Sequence, residues 1–193
     1  MKRILVWFKN DLSLRDHLPL TQALADAEEI IPFYCFEDKF YQESFFNLPK
    51  TGAARAQFIL ESLTELQSRI ADLGSELQVY QGSVSEGIAE IHRQWPLDAI
   101  YCAEEVSREE LESIDEIRSQ GFDVRCFWNY SLYQKADLPC SVQQIPEVFT
   151  AWRKKMEKYS QVREPLAAPD FIASPPDLKS CSLPTLKDLD LEP

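Results

Sequence analysis

The sequence predicts an α/β fold, a parallel sheet with helices on both faces, and two observations predict it. Five apolar runs of strand length alternate along the chain with segments whose apolar residues recur every three or four positions, as on one face of a helix. Several of the runs are apolar without interruption, which is typical of strands that are covered on both faces. This alternation favours a single layered α/β domain over an all-helical or all-β one.

The predicted elements follow one another in regular order. Strands are expected near Arg3–Phe8, Glu29–Glu37, Leu77–Tyr80, Ala99–Ala103 and Val124–Trp128. Helices are expected near Leu18–Ala27, Gly52–Leu73, Ser85–Gln94 and Ser107–Gln120. The long helix has the clearest pattern, because its apolar residues keep three- and four-residue spacing while charged residues fill the other faces. Gly74 follows its last turn and is placed to end it.

The chain changes character after Trp128. Prolines at 139, 146, 165, 169, 175 and 176 break regular structure. One more helix is predicted between Glu147 and Tyr159, with Trp152 and Met156 on its apolar face. Beyond about Val162 the sequence predicts a linker.

Charge and cysteine content narrow the possible functions. The 193 residues include 32 acidic and 20 basic ones, a formal net charge of −12, which disfavours strong binding to bare nucleic acid. The five cysteines are odd in number and lack zinc-site or CxxC spacing, so we expect reduced thiols in the cytoplasm. The run after Lys2 and Arg3 is too short for a signal peptide, and no stretch has transmembrane length, so no membrane contact is expected.

Common cofactor and catalytic motifs are missing from the sequence. It contains neither GxGxxG nor a Walker loop, so nucleotide binding by a glycine-rich loop is unsupported. His17 and His92 have no neighbouring metal-ligand spacing, and a surface or capping role is favoured for both over catalysis.

The acidic segment 104–110 after the fourth predicted strand has two interpretations. Ser107 and Glu110 match a capping box at the start of a helix, which is the structural interpretation. Carboxylates at the carboxyl edge of a parallel sheet could instead bind a heterocycle with amino and ring N–H donors. Spacing alone favours the capping box.

Two further segments have a structural and a functional interpretation. The stretch between Glu37 and Gly52 is long for a connection and carries Phe40, Tyr41, Phe45 and Phe46, so it could cover a site. The basic cluster Arg153-Lys154-Lys155 could contact phosphate, but the solvated side of a docking helix is favoured.

Three segments, in this order, resemble the photolyase/cryptochrome family. Trp7–His17 is similar to the family's first strand and loop, although Lys9 and Ser13 stand where the family usually has Arg. Pro49–Phe58 resembles the Lys-Thr-Gly-x-x-Arg-x-x-Phe signature of DASH-type cryptochromes. Asp137–Pro139 with Ile145–Glu157 resembles that subgroup's Asp-Leu-Pro…Phe-Thr-x-Phe-Arg-Lys stretch.

The resemblance implies a Rossmann-like, open five-stranded parallel sheet with strand order 3-2-1-4-5 and a carboxyl-terminal linker. Residues 1–135 would form the photolyase-like antenna domain. Residues 136–193 would form a docking helix and linker toward a helical FAD-binding domain that this chain does not include. In DASH-type members the antenna pigment is a folate, 5,10-methenyltetrahydrofolate.

The resemblance also implies site residues. Glu109 is the expected pterin-binding carboxylate, with Ser107, Arg108 and Glu105 beside it. An alignment offset of one or two residues would move the role to Glu105 or Glu110. Phe149, Trp152 and Met156 are the expected docking residues for the helical domain.

The expected function is light harvesting for flavin-dependent DNA repair or blue-light signalling in the full protein. The helical FAD-binding domain would be the partner, in cis or in trans, and DNA would bind only to the full protein. This chain alone is expected to be inactive as a photolyase, to lack FAD and to hold folate weakly or not at all. The alternatives are a stand-alone small-molecule binder and a protein-interaction module on the same fold.

Overall fold

A computed structural model of the protein describes residues 1–41, 44–45 and 48–192. The strands in this part of the chain are β1 (Arg3–Phe8), β2 (Glu29–Glu37), β3 (Ser44–Phe45), β4 (Leu48–Pro49), β5 (Gln78–Gly82), β6 (Ala99–Ala103) and β7 (Val124–Phe127). The α-helices are α1 (Leu18–Asp26), α2 (Asp38–Tyr41), α3 (Ala53–Asp72), α4 (Val84–Gln94), α5 (Arg108–Ser119) and α6 (Phe149–Tyr159). Short 3-10 turns cover Lys135–Asp137, Val142–Gln144 and Lys187–Leu189.

The main sheet is parallel throughout and has the order β5-β2-β1-β6-β7. When its five strands are counted along the chain, this order is 3-2-1-4-5, as the family resemblance implied. Strand β1 is central, since Val6 is in register with Pro32 of β2 on one side and Tyr101 of β6 on the other. The short strands β3 and β4 form a separate antiparallel pair. The predicted fold class is confirmed.

The core has two layers because successive residues of β1 point to opposite faces of the sheet. Ile4, Val6 and Phe8 pack with apolar residues of α1 and α3. Leu5 and Trp7 pack on the other side with apolar residues of α4 and α5. Helices therefore cover both faces, which is the physical reason that the central strands are apolar without interruption.

The helix predictions agree with the structure to within two residues at each end. The predicted strand Leu77–Tyr80 lies one to two residues further along, at Gln78–Gly82, and the last strand ends at Phe127 rather than Trp128. Gly74 has a φ of +83°, the left-handed conformation that ends α3, and a Cβ there would come within 2.8 Å of the Phe171 ring.

The segment after Val162 has little regular structure, but it lies against the sheet domain rather than apart from it. The N–H of Ile172 donates to the carbonyl of Leu73 at 2.9 Å, and the N–H of Ile30 donates to the carbonyl of Ala173 at 2.7 Å. Four apolar side chains of this segment are buried: Ile172, Leu178, Leu189 and Leu191. The residues predicted as a linker therefore complete the core of the α/β domain.

This contact also explains a proline inside a central strand. Pro32 belongs to β2, which lies between β1 and β5. Proline has no N–H to give to a neighbouring strand. Pairing of β2 with β5 begins only at Phe33, and residues 173–174 lie beside Ile30 instead. No strand at this edge therefore depends on an N–H from Pro32.

No helix in the described residues is long and apolar enough to cross a membrane.

Ile172→Ala is expected to lower the free energy of unfolding by about 2–5 kcal/mol, because it leaves a cavity between the carboxyl-terminal segment and α3. Urea denaturation followed by circular dichroism measures the change. Val162→Ala is the matched control, since its side chain is half exposed, and it should change stability by less than about 0.5 kcal/mol. Equal effects of the two substitutions would contradict the packing of this segment.

Candidate functional site

A cavity of about 230 Å³ opens at the carboxyl edge of the sheet, above the ends of β1, β2 and β6. This is the edge where parallel α/β sheets bind their ligands. The cavity has charged groups from the strand ends and from the start of α5, and aromatic groups from β1, β2 and α2. Its lining includes Trp7, Phe8, Lys9, Asn10, Tyr34, Cys35, Glu37, Phe40, Tyr41, Lys50, Thr51, Arg55, Ile59, Glu105, Glu109 and Glu110.

Lys9 connects the loop after β1 to the end of β6. Its ammonium donates to the carbonyl of Ala103 at 2.9 Å and lies 2.9 Å from Oε1 of Glu105. The same ammonium lies 4.7 Å from the centre of a Trp7 ring, within the range of a cation–π interaction. The carboxyl ends of the two neighbouring strands are thus joined by one buried cation.

Glu105 is the innermost carboxylate and is only 4% exposed. The hydroxyl of Tyr130 donates to its Oε2 at 2.6 Å. Burial raises the pKa of Glu105, and the charge of Lys9 opposes that rise. Its Oε1 faces the Lys9 ammonium, so both carboxylate oxygens have a polar partner. Glu105 is therefore a buried, ion-paired carboxylate on the cavity wall.

Glu109 lies at the mouth of the cavity, in the first turn of α5. Its side chain is 53% exposed, and its Oε1 is 2.5 Å from the ammonium of Lys50. The hydrogen bond from Lys50 lowers the pKa of Glu109, so this carboxylate is ionised at neutral pH. Lys39 donates to the backbone carbonyl of Glu109 at 3.0 Å and fixes the start of the helix from the other side.

The other predicted site residues lie apart from the cavity or at its rim. Ser107 precedes α5 but caps no backbone group; its hydroxyl donates to the side chain of Glu110 instead. The predicted capping box, which needs bonds from the two side chains to backbone N–H groups, is therefore not formed. Arg108 points to solvent and donates to Glu112 at 2.9 Å. The structure brings Glu105, Glu109 and Glu110 together at the cavity and leaves Ser107 and Arg108 outside its lining.

Aromatic side chains form much of the cavity wall. Trp7 and Phe8 come from β1, Tyr34 from β2, and Phe40 and Tyr41 from α2. The predicted covering loop is thus part of the site through Phe40 and Tyr41. Phe46 lies outside the described residues, and only the backbone of Phe45 is described.

Lys50, Thr51 and Arg55 line the cavity but were not predicted as site residues. The sequence signal was the Lys-Thr-Gly segment that begins α3, which served only as a family signature. Lys9 and Tyr130 were also missed, because their roles depend on contacts with Glu105 that span 96 and 25 residues of the chain.

Comparison with known proteins identifies the family. A family model described as DNA photolyase matches residues 4–170. The chain belongs to the DNA photolyase family. It is 35% identical to a protein named Cryptochrome DASH from Gloeobacter violaceus, covering 99% of this chain and 39% of that protein. It is 33% identical to the blue-light photoreceptor PHR2 of Arabidopsis thaliana, covering 97% of this chain and 43% of that protein.

Solved photolyase-family structures have the same fold. The cryptochrome of Synechocystis sp. PCC6803 superposes with a TM-score of 0.88 at 30% identity, over 97% of this chain and 40% of that protein. An archaeal photolyase from Sulfolobus tokodaii, described with two FAD molecules, superposes with a TM-score of 0.72 at 22% identity, over 93% and 38%. The chain spans about two fifths of the length of the relatives it matches.

The loop of this photolyase-family domain that carries Lys9 is held by a buried pair behind it. His17 is 1% exposed and caps α1, accepting the N–H of Leu20 on Nδ1 at 3.0 Å. Its Nε2 lies 3.0 Å from Oδ2 of Asp11, and Oδ1 of Asp11 accepts the N–H of Lys9 at 3.0 Å. His17 is thus a capping residue, but a buried one rather than a surface one. His92 also caps, accepting the N–H of Leu97 at 3.0 Å.

Asp11→Asn is expected to lower the free energy of unfolding at neutral pH by about 1–3 kcal/mol. Burial would raise the pKa of Asp11, but the hydrogen bond and charge of His17 outweigh it and hold that pKa below its ordinary value. A lowered carboxyl pKa stabilises the fold above the unfolded-state pKa of about 3.9, and this contribution is lost as the pH falls through the folded-state pKa.

Denaturant unfolding of the wild type and Asp11→Asn between neutral pH and pH 3 measures the difference. It should be largest near neutrality and shrink below about pH 4. Asp72→Asn, which changes an exposed carboxylate at the end of α3, is the matched control and should show no such convergence. A difference between wild type and Asp11→Asn that stays constant with pH would contradict the role given to Asp11.

Proposed function

We propose that this domain binds 5,10-methenyltetrahydrofolate in the carboxyl-edge cavity and is the light-harvesting domain of a DASH-type cryptochrome or photolyase. The observation that carries the proposal is the buried, ion-paired carboxylate of Glu105 on the wall of an aromatic cavity at the carboxyl edge of the sheet. The assignment to the DASH subgroup is supported by the Lys-Thr-Gly signature at 50–52 and by relatives named Cryptochrome DASH at up to 35% identity.

The carboxylates fit the N–H donors of a pterin. A carboxylate accepts two N–H groups side by side, and such charge-assisted bonds are about twice as strong as neutral ones. Glu105 offers an acceptor deep in the cavity, and Glu109 offers an ionised one at the mouth. To accept from a ligand, Glu109 must share its oxygens with Lys50 or release it.

The cavity suits the ring system of the pigment rather than the whole molecule. Its volume of about 230 Å³ is below the 300–1,000 Å³ typical of sites that enclose a complete drug-sized ligand. Trp7, Phe8 and Tyr34 supply flat apolar walls. Lys50 and Arg55 stand on the exposed side, where they match the anionic tail of a folate.

The bound pigment would absorb light and pass the excitation energy to a flavin. The residues of this chain need no acid or base step for that role. The carboxylates orient the ring, and the aromatic walls exclude water that would compete for the same hydrogen bonds. DNA repair or blue-light signalling would belong to the full protein with its helical FAD-binding domain.

We also propose that the helical domain covers the apolar residues exposed around α6. Phe149 is 72% exposed, and further large apolar side chains between positions 132 and 162 are exposed as well: Leu132, Val142, Val148, Tyr159 and Val162. Exposed apolar side chains are typical of interaction surfaces when they form a patch. Of the expected docking residues, Trp152 is half-buried and Met156 is 7% exposed, so Phe149 presents the most surface to a partner.

The cysteines fit a location in the cytoplasm, and the basic residues of α6 fit a docking role for that helix. All five cysteines are free thiols, as expected of a cytoplasmic protein. The basic side chains of Arg153, Lys154 and Lys155 are exposed on α6, as expected for the solvated part of a docking helix.

Replacing either cavity carboxylate is expected to weaken folate binding. Glu105→Gln and Glu109→Gln keep the side-chain size but remove the charge, which should cost about 1–3 kcal/mol, or roughly 5- to 150-fold in Kd. Fluorescence titration of 5,10-methenyltetrahydrofolate into the purified chain measures the change.

Glu112→Gln is the matched control, because Glu112 lies on the same helix, pairs with Arg108 and does not line the cavity. Its Kd should equal that of the wild type. FAD is titrated in parallel, since the photolyase from Sulfolobus tokodaii is described with two FAD molecules. Saturable FAD binding without folate binding, or equal folate affinity in all variants, would overturn the proposal.

Duplex DNA is expected to bind this chain weakly at physiological salt, with a Kd no tighter than the non-specific range of about 10⁻⁴–10⁻⁶ M. The net charge of −12 repels phosphate, and the basic cluster on α6 is small. Fluorescence anisotropy with a labelled duplex measures binding. Tighter, salt-sensitive binding that is lost in Lys154→Glu would contradict this expectation.

A further inference from the structure

Two cysteines face each other across the neighbouring strands β6 and β7. Cys102 and Cys126 are register partners in this parallel pair, and their sulfur atoms are 3.8 Å apart. Cys102 is also the register partner of Trp7 on β1, so both thiols lie in the same core layer as that cavity residue. The sequence gives no sign of the pair, because the two cysteines are 24 residues apart and lie in no metal or redox motif.

The backbone geometry permits a disulfide between them. Neighbouring strands run about 4.8 Å apart, which lies within the Cα separation of about 4.4–6.8 Å found across disulfides. Both side chains point to the same face of the sheet, where they pack against α4 and α5. Closing the sulfur–sulfur distance from 3.8 Å to a bond of about 2.05 Å needs only side-chain rotation.

The two thiols differ in reactivity. Cys126 lies on the edge strand β7, is half-buried, and accepts a hydrogen bond from the guanidinium of Arg118 at 3.5 Å. Cys102 is fully buried. The hydrogen bond from Cys102 and the charge of Arg118 lower the pKa of Cys126, while the same pairing and burial raise the pKa of Cys102. Cys126 is therefore the nucleophile of the pair and Cys102 the resolving thiol.

The other cysteines have no such arrangement within the described part of the chain. Cys35 is buried beside Glu37, and burial raises the pKa of its thiol. Cys140 and Cys181 are half-buried and contact oxygen acceptors rather than a second sulfur. They serve as internal references for any oxidation experiment.

We propose that Cys102 and Cys126 are a redox-active thiol pair that closes to a disulfide when the protein meets a peroxide. The Cys126 thiolate attacks one peroxide oxygen, forming an S–O bond and breaking the O–O bond, and the hydroxide that leaves takes up a proton to become water. The sulfur of Cys102 then attacks the sulfenic sulfur of Cys126 and gives up its proton. The S–O bond breaks and a second water leaves, so two thiols and one hydrogen peroxide become one disulfide and two waters.

A disulfide between Cys102 and Cys126 would also affect the ligand site, because the segment between them carries cavity residues. The loop between the two cysteines carries Glu105, the whole of α5 and thus Glu109. A disulfide that closes this loop restricts the unfolded chain and ties the edge strand to β6. The oxidised protein should therefore melt at a higher temperature and exchange the amide hydrogens of α5 more slowly.

Oxidation followed by peptide mapping tests the proposal. The purified chain is treated with hydrogen peroxide, quenched with catalase, alkylated and digested with trypsin. The expected products are a loss of about 2 Da in the intact mass, from the two thiol hydrogens, and a linked pair of the peptides 94–108 and 126–135 that dithiothreitol separates. Cys102→Ser should instead leave a sulfenic acid on Cys126 that dimedone labels.

Cys140→Ser is the matched control and should form the linked peptides as the wild type does. Cys126→Ser and Cys126→Ala should both abolish them. The same result in both variants would show that the cause is loss of the thiol and not misfolding of one variant. Recovery of both peptides fully alkylated after the treatment would overturn the proposal. A disulfide that joins Cys140 or Cys181 in their place would overturn it as well.

Discussion

The central strand β1 is paired on both edges and buried on both faces, and this constraint positions the rest of the molecule. Parallel neighbours on either side take up its backbone hydrogen bonds, and two apolar layers cover its alternate side chains. A strand so enclosed can meet polar groups only where it ends. The loop after Phe8 is therefore the first place where charge can appear beside the core, and the cavity forms there.

The Lys9–Glu105 pair shows how such a charge is held. A buried ion pair is a weak source of stability, because the cost of removing both groups from water offsets much of their attraction. Here the carbonyl of Ala103 accepts from Lys9 and the hydroxyl of Tyr130 donates to Glu105, so each charged group has one further hydrogen bond. A buried pair that adds little to stability has a physical reason if its carboxylate also binds a ligand. Asp11 and His17 hold the loop from behind in a similar manner.

Patterns within the sequence predicted the helices and strands, because these depend on the local spacing of apolar residues. The amphipathic spacing of α3 and the apolar runs of β1, β2 and β6 gave bounds that match the structure closely, whereas the strand order came from family resemblance.

The acidic segment was placed at the correct sheet edge. Which of its residues face the cavity depends on the helix phase, which directs Glu109 and Glu110 inward and Arg108 outward. Lys9 and Tyr130 were missed because only tertiary contacts bring them to Glu105, and Lys50 was missed because only such a contact brings it to Glu109. The buried residues after Val162 were missed because isolated apolar residues among prolines have no period to detect.

The contact between residues 173–174 and β2 also bears on how the domain forms during synthesis. Strand β2 is made early, but the groups that complete its edge at Ile30 lie more than 140 residues later. Leu189 and Leu191 join the same core layer later still. At a translation rate of about 5–20 residues per second, the nascent sheet must wait several seconds or more with this edge open. Pro32 offers no N–H at that edge, which removes one of the groups through which a second nascent chain could pair with it.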